Sequence, residues 1–101
     1  MTALIYCPFP DAENAERVGR ALIEEGLVTC INIGAPMRSV FAWDGRLDEG
    51  EEIPCLLKTS SEALDRAVAR LETLHPYEAP AIMGWHCDAA GAATKEWLGA
   101  L

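Results

Sequence analysis

Positive charge is scarce in this 101-residue chain: eight Lys and Arg stand against sixteen Asp and Glu, a net charge of −8. Such a balance repels phosphate backbones and anionic lipid surfaces, so no nucleic acid and no membrane partner is expected, and cations are the natural small partners. No apolar run approaches the roughly 18 residues of a membrane span. The stretch Met1-Thr2-Ala3-Leu4-Ile5-Tyr6-Cys7 has neither a basic start nor the length of a signal core, so the chain reads as cytoplasmic. None of the four cysteines, Cys7, Cys30, Cys55 and Cys87, belongs to a C-x-x-C pair, which removes a zinc knuckle and a C-x-x-C redox motif. Free thiols, mostly buried as small hydrophobes, are expected in a reducing compartment. A nucleophile elbow, a glycine-rich phosphate loop, H-E-x-x-H and a paired-acid arrangement are also missing. An enzyme finds no support here, and a binding protein is expected.

What is present is 50% hydrophobic and 24% charged residues, enough for one domain over residues 1–101. A fold this small buries only about 60–70% of its unfolded surface, so association with further subunits is expected. Ala3 to Cys7 reads as a strand inside a sheet, stopped by Pro8-Phe9-Pro10. Asp11 is a candidate N-cap for a helix running to Glu25, with Gly26 as its stop. Leu27 to Ile33 is apolar on both alternating faces and reads as a central strand with both sides covered. Asp44-Gly45 between Ser39–Trp43 and the segment around Leu47 predicts a two-residue type I′ hairpin. Ile53 to Lys58 is a further strand with Pro54 at an edge or bulge. Thr59-Ser60-Ser61-Glu62 has the form of a capping box, predicting a helix from there to His75-Pro76. Ala81 to Cys87 reads as a strand, and a short helix falls within Asp88 to Leu101. Two βαβ-like halves around an antiparallel hairpin give an α+β, ferredoxin-like sandwich with a long β-hairpin. The open face of its sheet needs a cover, for which another copy of the chain is the simplest candidate.

Several residues carry candidate chemistry. His75 either caps the last carbonyls of its helix or serves as a ligand. His86 and Cys87 point to opposite faces of a strand and do not share an ion. Cys7 and Cys30 sit in strands expected to be neighbours, either as inert buried thiols or as soft donors. If Cys7 and His75 share one rim of the sheet, they suit copper better than magnesium or calcium, with carboxylates or a second subunit completing the sphere. Glu49, Glu51 and Glu52 form an acidic group that a solvated edge explains. Lys58 either pairs with such a glutamate across an interface or protects a strand edge. Trp43, beside the hairpin turn, is too far out to reach its own core, so it either lies exposed or packs into another subunit, the second reading being favoured.

Read together, Ala21 to Ile33, Ser39 to Gly45, Glu51-Glu52, Leu57-Lys58-Thr59, His75-Pro76-Tyr77-Glu78-Ala79-Pro80 and Trp97-Leu98 give a sequence that resembles the CutA1-type divalent-cation tolerance proteins over nearly its whole length. The resemblance implies a ferredoxin-like fold assembled as a tight homotrimer, with hairpin strands reaching into neighbouring subunits. It implies weakly bound copper or another divalent cation, with Cys7 and His75 at the metal-binding positions. Leu74 stands where a copper-binding member has a second histidine, leaving that ligand set incomplete. Phe41 and Arg46 replace the usual Tyr and Lys of the hairpin motif. The resemblance also implies inter-subunit clefts that gather Cys30, Trp43, Glu52, Lys58, Tyr77 and Glu78. The alternative is a module like the trimeric PII regulators, binding a small molecule in such clefts.

Overall fold

A computed structural model describes residues 1–101. Its elements run β1 (Thr2–Tyr6), α1 (Ala12–Glu24), β2 (Cys30–Ile33), β3 (Met37–Trp43), β4 (Arg46–Glu52), β5 (Cys55–Ser60), α2 (Leu64–Leu74), β6 (Met83–His86) and α3 (Ala92–Gly99). This is the mixed α and β order expected from the sequence. Four strands form an antiparallel sheet in the order β2-β5-β1-β6, and β3 and β4 form a separate two-stranded ribbon.

The first helix starts where its cap predicts. Asp11 is extended, and its side chain accepts the Asn14 N–H at 2.7 Å, satisfying one of the free donors of the first turn. Its apolar stripe, Ala15, Val18 and Leu22, is buried together with Ala3, Ile5 and Cys7 of the β1 segment and with Cys55 and Leu57 of β5. Ala67 and Leu71 of α2 complete the same core. Helix α1 packs against β2 and α2, and α2 against β1 and β6, so this face of the sheet is covered. Gly19 is required by that packing: a Cβ there would lie 2.5 Å from Ile31 Cγ2.

The hairpin closes as its turn dipeptide predicts. Asp44 and Gly45 both have positive φ, 51° and 73°, the pair of left-handed residues a type I′ turn needs. Trp43 pairs with Arg46 at the tip, and Met37 with Glu52 at the base.

Several expectations are corrected. Strand β2 is an edge strand, because β5 takes the central place beside β1. It begins only at Cys30, since the Leu27 and Val28 N–H groups donate back to Leu22 O at the end of α1. For the same reason Cys7 and Cys30 are not on adjacent strands, and Lys58, in central β5, protects no sheet edge. The expected capping box does not form: Thr59 Oγ1 donates to Leu27 O at 2.7 Å and Ser60 Oγ accepts the Ala63 N–H at 3.1 Å. Strand β5 therefore runs on to Ser60, and α2 starts at Leu64.

Side-chain alternation assigns the other face of the sheet. Leu4 pairs with Lys58 and Trp85, Tyr6 with Leu56 and Met83, and Cys30 with Lys58, all on the side away from the helical core. Helix α3 contacts β1 and β5 and buries Leu98 apart from the main core, but it leaves much of this face open.

Candidate functional site

The turn after β1 brings Cys7 and His75 to one place. Beyond Tyr6 the chain stays paired with the segment before β5: Cys7 N–H donates to Cys55 O, and Phe9 and Ile53 exchange hydrogen bonds of 2.9 and 2.8 Å. Pro8 and Phe9 are thereby held against the end of α2. His75 follows that helix in an extended conformation (φ −66°, ψ 139°), as a residue before proline must. Its ring stacks on Phe9 with centroids 4.5 Å apart and is tilted against Tyr77 at 4.8 Å.

Both ring nitrogens of His75 are in use. Nδ1 accepts the Tyr77 N–H at 3.1 Å and Nε2 lies 2.9 Å from the Pro8 carbonyl. An Nδ1 that accepts and an Nε2 that must donate fix a neutral imidazole with its proton on Nε2. Burial lowers the pKa of His75 and outweighs the opposing pull of Pro8 O and the Glu52 charge, with Arg17 adding to the lowering. His75 is thus neither a cap for its helix carbonyls nor a free ligand.

Cys7 also turns toward the Pro8 carbonyl, with Sγ 3.6 Å away. Burial, then the nearby Cys55, then the Glu52 charge push its thiol up to about 12. It is a protonated thiol at neutral pH. As they stand, Cys7 and His75 do not make a metal centre: one holds its proton and the other has both nitrogens occupied. No three His, Cys, Asp or Glu side chains converge closely enough to hold an ion within one chain.

The six residues expected in a cleft fall into separate groups. Glu52 and Tyr77 meet, the phenol donating to Glu52 Oε2 at 3.0 Å, beside the Cys7 and His75 corner. Burial first, then that hydrogen bond and the carboxylate charge push the Tyr77 hydroxyl up to about 12, so it remains a donor. Glu78 follows on the exposed surface. Cys30 and Lys58 are cross-strand neighbours on the open sheet face. Trp43 is 62% exposed at the hairpin tip, and the length of a seven-residue strand separates it from Glu52 at the base, about 20 Å by the rise per residue. One chain does not join these groups.

Residues 3–100 match the family model described as CutA1 divalent ion tolerance protein. The chain belongs to the CutA1 family. The divalent-cation tolerance protein CutA of Pyrococcus horikoshii is 34% identical over 95 residues, which cover 94% of this chain and 92% of that protein. The CutA of Thermus thermophilus is 31% identical over 98 residues, covering 97% and 95%. Among solved structures, the periplasmic divalent cation tolerance protein CutA of Archaeoglobus fulgidus superposes with a TM-score of 0.92 at 29% identity, covering 99% of this chain and 97% of that one. Three residues of the corner are not marked as site residues by the sequence: Pro8, Phe9 and Cys55. The Pro8-Phe9-Pro10 turn signalled the first two, whereas the place of Cys55 follows only from strand register.

Proposed function

We propose that this CutA1-family chain works in divalent-cation tolerance as a homotrimer of ferredoxin-like α+β sandwiches, a cytoplasmic binding protein and not a catalyst. The sheet order β2-β5-β1-β6 with helices on one face supports the ferredoxin-like description. The observation that carries the assembly is the open sheet face, where Leu56, Met83 and Trp85 are 40%, 59% and 45% exposed in a single chain. A contiguous apolar patch of this kind marks an interaction surface, and a ring of identical copies covers it with the same residues each time. The hairpin adds Val40, Phe41, Trp43 and Leu47, all exposed. An isolated two-stranded ribbon is marginal in water, so it gains order by packing on a neighbour. Cys30, Trp43, Glu52, Lys58, Tyr77 and Glu78 then meet in clefts between copies.

The cation part of the reading rests on the relatives, which are named for divalent-cation tolerance, and on the net charge of −8. Copper is favoured because the donors at the Pro8 corner are soft. Binding by Cys7 and His75 is weak, since the thiol must lose a firmly held proton and the imidazole must give up a hydrogen bond. Isothermal titration with Cu(II) tests this. Weak binding that disappears in Cys7→Ser and in His75→Ala is expected; binding unchanged by both removes the site, and no cation binding at all contradicts the function.

A further inference from the structure

We propose that Met37 is a reversible oxidation site: its sulfoxide, by accepting the hydroxyl of Tyr6, fixes the β3–β4 ribbon to the sheet more firmly than the thioether does. This rests on neither the divalent-cation reading nor the assembly.

The ribbon is a two-stranded sheet of its own, and β3 and β4 pack extensively only on each other. Its order in a single chain therefore depends on what ties its base to the body. Two side-chain hydrogen bonds do this, one to each strand of the last cross-strand pair, Met37 with Glu52. Tyr77 Oη donates to Glu52 Oε2 at 3.0 Å, and Tyr6 Oη donates to Met37 Sδ at 3.9 Å. Tyr6 ends β1, so its bond is the one that reaches from the four-stranded sheet itself.

The two ties are unequal. A phenol bound to a carboxylate is a short, charge-assisted link, whereas a thioether sulfur is a weak acceptor. Strand β4 is thus held tightly at its base and β3 loosely. Oxidation removes the inequality, because a sulfoxide puts a polar oxygen acceptor where an apolar sulfur stood. A hydroxyl–oxygen bond spans about 2.7–2.8 Å. Most of the room for the added oxygen therefore already lies within the 3.9 Å between Tyr6 Oη and Met37 Sδ.

The oxidant is hydrogen peroxide. Its O–O bond breaks as the sulfur gives an electron pair to one oxygen, leaving an S=O group on Met37 and one molecule of water. The sulfur is oxidised by two electrons and the peroxide reduced by two. Methionine sulfoxide reductases, supplied with electrons by thiols, return the thioether. Access runs along a groove of about 350 Å³ walled by Pro36, Met37, Arg38, Glu49, Gly50 and Glu51. Arg38 and Glu49 pair there at 3.4 Å with side chains 75% and 61% exposed, and a charged wall of this kind keeps the groove wet. Met1 and Met83, 80% and 59% exposed, take up oxygen too, but neither lies in the ribbon. Met83 is the cross-strand partner of Tyr6, so the test removes it.

The test uses the full chain carrying Met83→Leu, which leaves Met37 as the one methionine beside Tyr6. Brief treatment with hydrogen peroxide is followed by dithiothreitol, which restores reversibly oxidised thiols and not the sulfoxide. Peptide mass spectrometry then locates the oxygen on Met37. Hydrogen exchange of the β3–β4 amides is expected to slow on oxidation by roughly 2–10-fold, the factor that one added hydrogen bond supplies. Methionine sulfoxide reductases return it to its first rate, and in Tyr6→Phe peroxide leaves it unchanged. The slowing and its reversal decide the matter even if Tyr6→Phe does not fold. Met37 that stays unoxidised in the folded protein while Met1 takes up oxygen overturns the proposal. So do ribbon amides that exchange at an unchanged or faster rate after oxidation, and a Tyr6→Phe variant that slows as the parent does.

Discussion

His75→Phe keeps a flat ring for Phe9 to stack on and removes both ring nitrogens. The Tyr77 N–H and the Pro8 carbonyl then lose partners at 3.1 and 2.9 Å. An unpaired buried polar group costs about 1–3 kcal/mol. Pro8 O keeps a weak contact with the Cys7 thiol, and the half-buried Tyr77 can recruit water, so the combined loss is about 2–4 kcal/mol. Urea unfolding at one fixed protein concentration measures it, because the midpoint of an assembled protein depends on concentration. The cost also depends on pH with a defined sign. His75 has its pKa lowered from 6.5 in the fold, so the unfolded chain takes the proton first. The stability from neutral His75 is complete above pH 6.5 and is lost as pH falls below that value, until the native residue also protonates. The phenylalanine variant lacks this loss. The gap between the two proteins therefore narrows from pH 8 to pH 5, by no more than about 1.4 kcal/mol per pH unit. A gap that stays constant with pH, or a variant as stable as the parent, refutes the assignment of His75 as a buried neutral link.

Leu57→Ala, at a fully buried position of central β5, costs about 2–5 kcal/mol in the same urea assay. Gly45→Ala places a Cβ at φ 73°, a conformation that disfavours L-residues by about 1–2 kcal/mol; a melting point equal to the parent's means the turn is of another type. Trp85→Glu, on the open sheet face opposite Leu4, leaves the single-chain core untouched, so circular dichroism keeps its shape while sedimentation velocity shows smaller particles. Unchanged sedimentation places Trp85 outside any interface.

Much of the architecture is written in short-range signals. Asp11 announces α1, Asp44-Gly45 announces the hairpin, and the apolar β1 run stopped by Pro8 lies inside the sheet as its composition requires. What failed depends on partners far along the chain. Thr59 looked like a helix cap, but its hydroxyl finds Leu27 O across 32 residues, and that bond keeps it in β5. Leu27 to Ile33 looked central because it is apolar on both faces; part of that character serves the end of α1, through the bonds of Leu27 and Val28 to Leu22 O. At the candidate site, the meeting of Cys7 and His75 was legible as a shared rim. Their state was not, because it is set by one backbone carbonyl, that of Pro8, and no side-chain pattern reveals an acceptor on the main chain. The pairing of Cys7 with Cys55 was equally hidden, since it exists only once β1 and β5 have aligned.

The proposed assembly turns on whether this chain stands alone, since it is neighbouring copies that would cover the open sheet face and the extended hairpin. Multi-angle light scattering on the purified protein at micromolar concentration measures that directly. The predicted result is a uniform particle of three times the 11.0 kDa chain mass. A folded, stable particle of one chain mass contradicts the assembly and the clefts that depend on it.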